Sequence, residues 1–165
     1  MHRVILAALL ALTACATVPP VTGFRDPAQP IYSSAVFDPA GLSGVWTQLG
    51  DFADGVGCGP ARVRFADSGG AMRIDGQLCV AGTPTMVAGP LIPTGPGRFG
   101  VAGIADPIWV LWADGDLRTL VLGTPSGRFG MILNRDAALP ADRLLAARDV
   151  LAWNGYDLDR LQISR

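Results

Sequence analysis

Neither lysine nor glutamate occurs in this chain of 165 residues: all 13 cations are arginine, all 14 anions are aspartate, and the single histidine is His2. If the N-terminus is removed, as argued below, no imidazole remains for Ser-His-Asp catalysis, for a histidine-ligated metal or for a histidine-held haem. Asp, Tyr32 and Tyr156 are then the acid–base groups left, and no two aspartates are recognisably poised as a catalytic pair. The composition therefore leads to an expectation of no enzyme, no cofactor and no metal. A net charge of −1 offers no basic groove, which argues against nucleic acid.

The longest apolar run, Val4 to Ala11, follows the positive His2-Arg3 and is too short for a membrane-spanning helix, which needs about 20 residues. Its charge, length and small-residue end describe a secretory signal peptide, residues 1–14. Leu12-Thr13-Ala14-Cys15 resembles the lipobox of bacterial lipoproteins, which implies cleavage before Cys15 and acylation of that cysteine. Ala16 is not aspartate, so the same resemblance implies sorting to the periplasmic face of the outer membrane. Removing 14 of 165 residues leaves 151, with 12 Arg against 14 Asp and a net charge of −2. Residues 15–40 hold five prolines and no sustained periodicity, and they read as a tether reaching about 25–30 Å.

Residues 41–165 alternate short apolar runs with Gly, Pro and Asp-Gly turns at intervals near ten residues, the pattern of an all-β barrel or sandwich. Eight runs are expected as strands: 45–52, 61–66, 71–81, 85–92, 98–102, 108–112, 117–122 and 129–134. Short links make neighbours antiparallel hairpins in up-and-down order. Val63 and Phe65 alternate with Arg62 and Arg64, and Met72, Ile74 and Leu78 alternate with Arg73, Asp75 and Gln77, so one face is wet and the other buried. The runs 108–112 and 120–122 are apolar on both faces, and the helix over 140–154, opened by Pro140 and closed by Gly155, is expected to cover them. Glycine and proline crowd residues 82–103, where the wall is least regular.

Three segments carry a family resemblance: Gly44-Val45-Trp46, Asp116 to Pro125, and Phe129 to Arg135, followed by the helix and Gly155-Tyr156-Asp157. In this order and spacing they resemble the lipocalins, and specifically the small bacterial outer-membrane lipocalin lipoproteins. The resemblance implies an eight-stranded up-and-down antiparallel barrel with a C-terminal α-helix on its outside and a short final strand. It also implies a barrel floor at Gly44, Trp46 and Arg135, with the guanidinium over the indole. Gln48 and Thr47 depart from the pattern, which has glutamate and an aromatic residue there, so identical ligand chemistry does not carry over.

Cys58 and Cys79 remain once Cys15 is acylated, and in an exported protein they read as a disulfide joining the start of the second strand to the end of the third. Free redox thiols are the rival reading, but the spacing is unlike C-x-x-C. Asp51 and Asp54 faintly suggest calcium, yet no later glutamate completes such a loop. The function expected is binding or transport of a small hydrophobic ligand, of fatty acid or lysophospholipid class, by a membrane-anchored monomer or weak dimer. The candidate lining is Gln48, Phe52, Phe65, Met72, Ile74, Trp109 and Trp112. The alternative is a structural or interaction lipoprotein of the envelope with a filled barrel, which a cavity below about 300 Å³ would favour.

Overall fold

A computed structural model of the chain describes residues 23–164; the expected signal peptide, Cys15 and the first part of the tether lie outside the described residues. The strands are β1 (Gly44–Phe52), β2 (Ala61–Ser68), β3 (Ala71–Val80), β4 (Thr83–Pro90), β5 (Ile92–Gly95), β6 (Arg98–Val101), β7 (Ile104–Ala113), β8 (Thr119–Gly123), β9 (Gly130–Asn134) and β10 (Leu161–Ile163), with one helix, α1 (Ala141–Trp153), before the last. Their order in the sheet is β4-β3-β2-β1-β9-β8-β7-β6-β5, all antiparallel, so β1 and β9 join the first half of the chain to the second.

The two ends of that path are one piece of chain. Only Leu91 separates β4 from β5; the first pairs with β3, the second with β6, and the Leu91 amide donates to the Met72 carbonyl at 2.8 Å. Residues 83–95 thus act as a single bent strand that closes an eight-stranded barrel. The bend falls at Gly89, Pro90 and Pro93, where prolines lack the N–H that an uninterrupted ladder requires. The expected strand over 85–92 is this element, extended in both directions.

Two cores follow from the alternation of side chains. Inside the barrel, Val63, Phe65, Met72, Ile74, Leu78, Val87, Leu91, Phe99, Ile108, Val110, Leu120, Leu122, Met131 and Leu133 pack together. Outside it, Val121 and Ile132 meet Ala147 and Leu151 of α1, joined by Phe24, Phe52, Leu111, Tyr156 and Leu161. The helix covers the doubly apolar strands, as their sequence requires. It ends at Asn154, and Gly155 takes φ +81°, where a Cβ would lie 2.8 Å from that of Gln29. No helix among the described residues is long and apolar enough to cross a membrane.

Residues 23–40 depart from the expectation of a tether. Arg25 is only 3 % exposed, pairs with Tyr156 in a β-bridge, and donates to the carbonyls of Asn154, Pro125 and Gln29. The Tyr32 amide donates to Asn154 Oδ1 at 2.9 Å and the Ser34 amide to the Val110 carbonyl at 2.7 Å. Proline density marks a segment without regular structure, yet several of its groups between Phe24 and Ser34 bond to the barrel and to the end of α1.

Candidate functional site

At the floor, the short 3-10 turn Pro39–Leu42 is capped by Asp38 and leads Leu42 into the barrel. Trp46 is fully buried and its indole N–H donates to the Leu42 carbonyl at 2.7 Å. The Arg135 guanidinium lies 4.2 Å from the Trp46 ring centre and donates to the carbonyls of Leu117, Ser43 and Gly41 at 2.8, 3.0 and 2.7 Å. Gly44, at φ +118°, leaves the space that this side chain crosses, since a Cβ there would sit 2.8 Å from Arg135 Nη1.

Above the floor the barrel holds an apolar cavity of about 20 Å³, lined by Leu42, Phe65, Ile74, Leu78, Leu91, Phe99, Val101, Ile108, Val110, Leu120, Leu122 and Leu133. That is room for about one water molecule, and no lining residue offers a polar side chain to hold it. A wider cleft of about 240 Å³ opens beside the 3-10 turn, lined by Pro39, Gly70, Ala71, Met72, Leu91, Pro93 and Phe99. Leu91 and Phe99 border both spaces and form the partition between them.

The expected lining residues divide between inside and outside. Phe65 and Ile74 face the cavity, while Met72 lies on the cleft side of the partition. Gln48 is buried and points inward, but its side-chain amide is consumed: Nε2 donates to the Cys79 carbonyl at 2.8 Å and Oε1 accepts from the Cys79 amide at 2.7 Å. It replaces a strand partner between β1 and β3 and is structural. Phe52 lies outside the barrel, against Phe24 and Tyr156, because the β1–β9 register shifts between Gln48 and Gly50 and inverts the alternation beyond it. Trp109 also faces out, since its neighbours Ile108 and Val110 face in; the Arg98 guanidinium lies 4.0 Å from its ring centre. Trp112 is turned out by a second register shift, between Val110 and Trp112. Among the lining residues that were not expected are Leu91, Phe99, Leu120, Leu122 and Leu133. The last three lie in doubly apolar strands, where periodicity does not tell one face from the other.

The same inversion turns Asp51 inward, opposite Met131. Its carboxylate is buried, with Oδ2 3.0 Å from Cys79 Sγ, and burial raises its pKa above the ordinary carboxylate value. Cys58 and Cys79 form a disulfide with Cα atoms 5.8 Å apart, tying the β1–β2 loop to the end of β3. Although Asp51, Cys58 and Cys79 cluster within 4.8 Å, both sulfurs are engaged in that bond and neither is a thiolate ligand. Asp54 turns away to pair with Arg160 at 2.6 Å, so Asp51 and Asp54 do not converge on a cation.

No family model and no curated protein matches the sequence. Solved structures do. Lobster apocrustacyanin A1 superposes with a TM-score of 0.60 at 16 % identity, over 90 % of this chain and 92 % of that one. A major cockroach allergen, Per a 4, gives 0.62 at 12 % identity over 84 % and 95 %. The chain has the lipocalin fold. A third lipocalin-fold neighbour, H1 crustacyanin from the lobster Homarus americanus, gives 0.57 at 17 % identity over 74 % and 76 %. At these identities the likeness is one of backbone architecture, and the ligand has to be argued from the lining of this lipocalin barrel itself.

Proposed function

We propose that this lipocalin-fold protein binds a small apolar molecule inside the barrel, of fatty acid or lysophospholipid class, and is not an enzyme. The supporting observation is the lining: twelve residues converge on the interior cavity without a polar side chain among them, and two of them, Leu91 and Phe99, also line an open cleft and stand between the two spaces. A guest of that class enters by displacing this partition, which merges the two spaces. An aliphatic chain gains about 0.8 kcal/mol for each CH₂ it buries.

The same proposal includes acylation at Cys15 after removal of residues 1–14, anchoring at the periplasmic face of the outer membrane, and a monomer or weak dimer. Lipidation would contribute about 0.8 kcal/mol per buried CH₂. Eight residue steps separate Cys15 from Gly23, where the chain reaches the barrel, so the domain would hang at most about 30 Å from its anchor.

The filled-barrel reading is favoured by one observation, the 20 Å³ cavity, which lies far below the ~300 Å³ of ordinary ligand sites. Native mass spectrometry of the protein with added fatty acids and lysophospholipids separates the two. A one-to-one adduct that is weakened by filling the interior, as with Leu122→Phe, supports binding. A spectrum indifferent to every lipid leaves a structural lipoprotein. Release of a Cys15→Ser variant into the soluble fraction supports the anchor, and its continued membrane fractionation would count against it.

A further inference from the structure

A concavity of about 450 Å³ lies outside the barrel, between the end of α1 and residues that precede the first strand; Tyr32, Leu111, Asp149, Val150, Trp153 and Asn154 line it. A smaller one of about 130 Å³, lined by Gln29, Pro30, Tyr32 and Trp153, meets it at the two rings. Trp153 is 76 % exposed and Tyr32 56 %, although the outer core beside them buries Leu151 completely. Both rings stand on fixed backbone. The Tyr32 backbone N–H donates a hydrogen bond to Asn154 Oδ1, and Asn154 in turn donates through Nδ2 to the Val150 carbonyl at 2.8 Å. Trp153 closes the last turn of α1.

The chemistry of the lining selects one class of guest. Asp149 precedes Trp153 by one helical turn on the same side of α1 and makes no ion pair among the described residues. No basic residue lines either concavity. Carboxylate and aromatic faces therefore attract the same species, a cation, through charge and ring quadrupole. A bare metal ion or ammonium would keep its water, because a single exposed carboxylate does not replace a hydration shell. A saccharide needs several free donors and acceptors, and the Asn154 amide is already spent on Tyr32 and Val150. An ammonium clothed in methyl groups is weakly hydrated and presents an apolar, positively charged surface to both rings.

We propose that the Tyr32–Trp153 cleft binds a quaternary ammonium group, with Asp149 as its counter-ion. The site is independent of the barrel interior. Its test is a ¹H–¹⁵N NMR titration of the purified protein with tetramethylammonium chloride at constant ionic strength, followed at the Trp153 indole and the amides of Tyr32 and Asp149. Saturable shifts with Kd of roughly 1–10 mM are expected, the range of a few weak contacts. Asp149→Asn should weaken binding several-fold, Trp153→Ala should abolish saturation, and Tyr32→Phe should preserve it. Choline should bind while its neutral isostere 3,3-dimethylbutan-1-ol should not. Comparison of free choline with phosphatidylcholine vesicles then tells a soluble ligand from a lipid headgroup, and binding of either supports the proposal. Absence of saturable shifts in the wild-type protein overturns it, as does equal binding of the neutral isostere, or glucose occupying the cleft where tetramethylammonium does not.

Discussion

Arg135 lies across the face of Trp46, 4.2 Å from the ring centre, and its guanidinium joins Leu117, Ser43 and Gly41 through three carbonyl bonds. One side chain thus ties the β7–β8 turn to the turn that plugs the floor. Arg135→Ala should lower stability by about 2–4 kcal/mol, combining a lost cation–π contact with unsatisfied carbonyls. Arg135→Lys should recover less than half of that, since an ammonium cannot make the forked contacts. Urea unfolding of the three proteins checks both statements.

Asp51 predicts an unusual pH dependence. Its folded pKa is raised by burial, so between the ordinary value of 3.8 and the folded value the native state holds a proton that the unfolded chain has released. The contribution of this group to stability therefore falls as pH rises through that window and stays unfavourable above it. Asp51→Asn should be more stable than wild type at pH 7, with the advantage shrinking towards pH 4. Unfolding of both proteins across pH 4–8 checks this, and an equal difference at all pH values would refute it.

Tyr156 gives a second pH signature. Its hydroxyl donates to the Phe129 carbonyl at 2.8 Å and accepts from the Thr124 amide at 2.9 Å, and burial pushes its pKa up to about 12. The unfolded tyrosine ionises near 10, so stability should decline from pH 10 to about 12, and Tyr156→Phe should remove that decline. At pH 7 the same variant should cost about 1–3 kcal/mol through the unsatisfied Thr124 amide and Phe129 carbonyl.

The Cys58–Cys79 disulfide closes a loop of sequence separation 21. Replacing both cysteines by serine should destabilise by about 3 kcal/mol on the chain-entropy model. Thermal melts with and without a reducing agent provide the check, because the double variant should be insensitive to the reductant.

Phe99→Ala removes half of the partition between cavity and cleft. It should cost about 3–5 kcal/mol. If the barrel binds an apolar guest, saturating lipid should restore part of the loss, by an amount set by ligand concentration over Kd. A melting temperature that lipid leaves unchanged in both wild type and variant would favour the filled barrel.

Much of this fold was legible along the chain. Period-two alternation placed Val63, Phe65, Met72 and Ile74 inside, and the doubly apolar runs called for a covering helix, which is α1. The site was less legible. Phe52 and Trp112 were expected inside from their place in apolar strands, but register shifts at Gln48–Gly50 and Val110–Trp112 turn both outward. Trp109 was likewise expected inside, but it lies in a run apolar on both faces, where Ile108 and Val110 take the interior and Trp109 faces out. Gln48 faces inward, yet its role came from a partner 31 residues away, the Cys79 backbone.

By itself the sequence determined the antiparallel all-β class, because that depends on periodicity, composition and local turn chemistry, and it offered Cys58 and Cys79 as a pair; the contact of the tryptophan motif with a distant arginine was implied by the family resemblance. The tertiary structure alone decided where the barrel closes, which residues face its interior, how little space remains there, and that the stretch from Phe24 to Ser34 is bonded to the barrel and the end of α1. A bulge moves every later side chain to the opposite face at almost no change in local propensity, and cavity volume depends on how side chains from eight strands meet. Neither quantity is carried by any single stretch of chain.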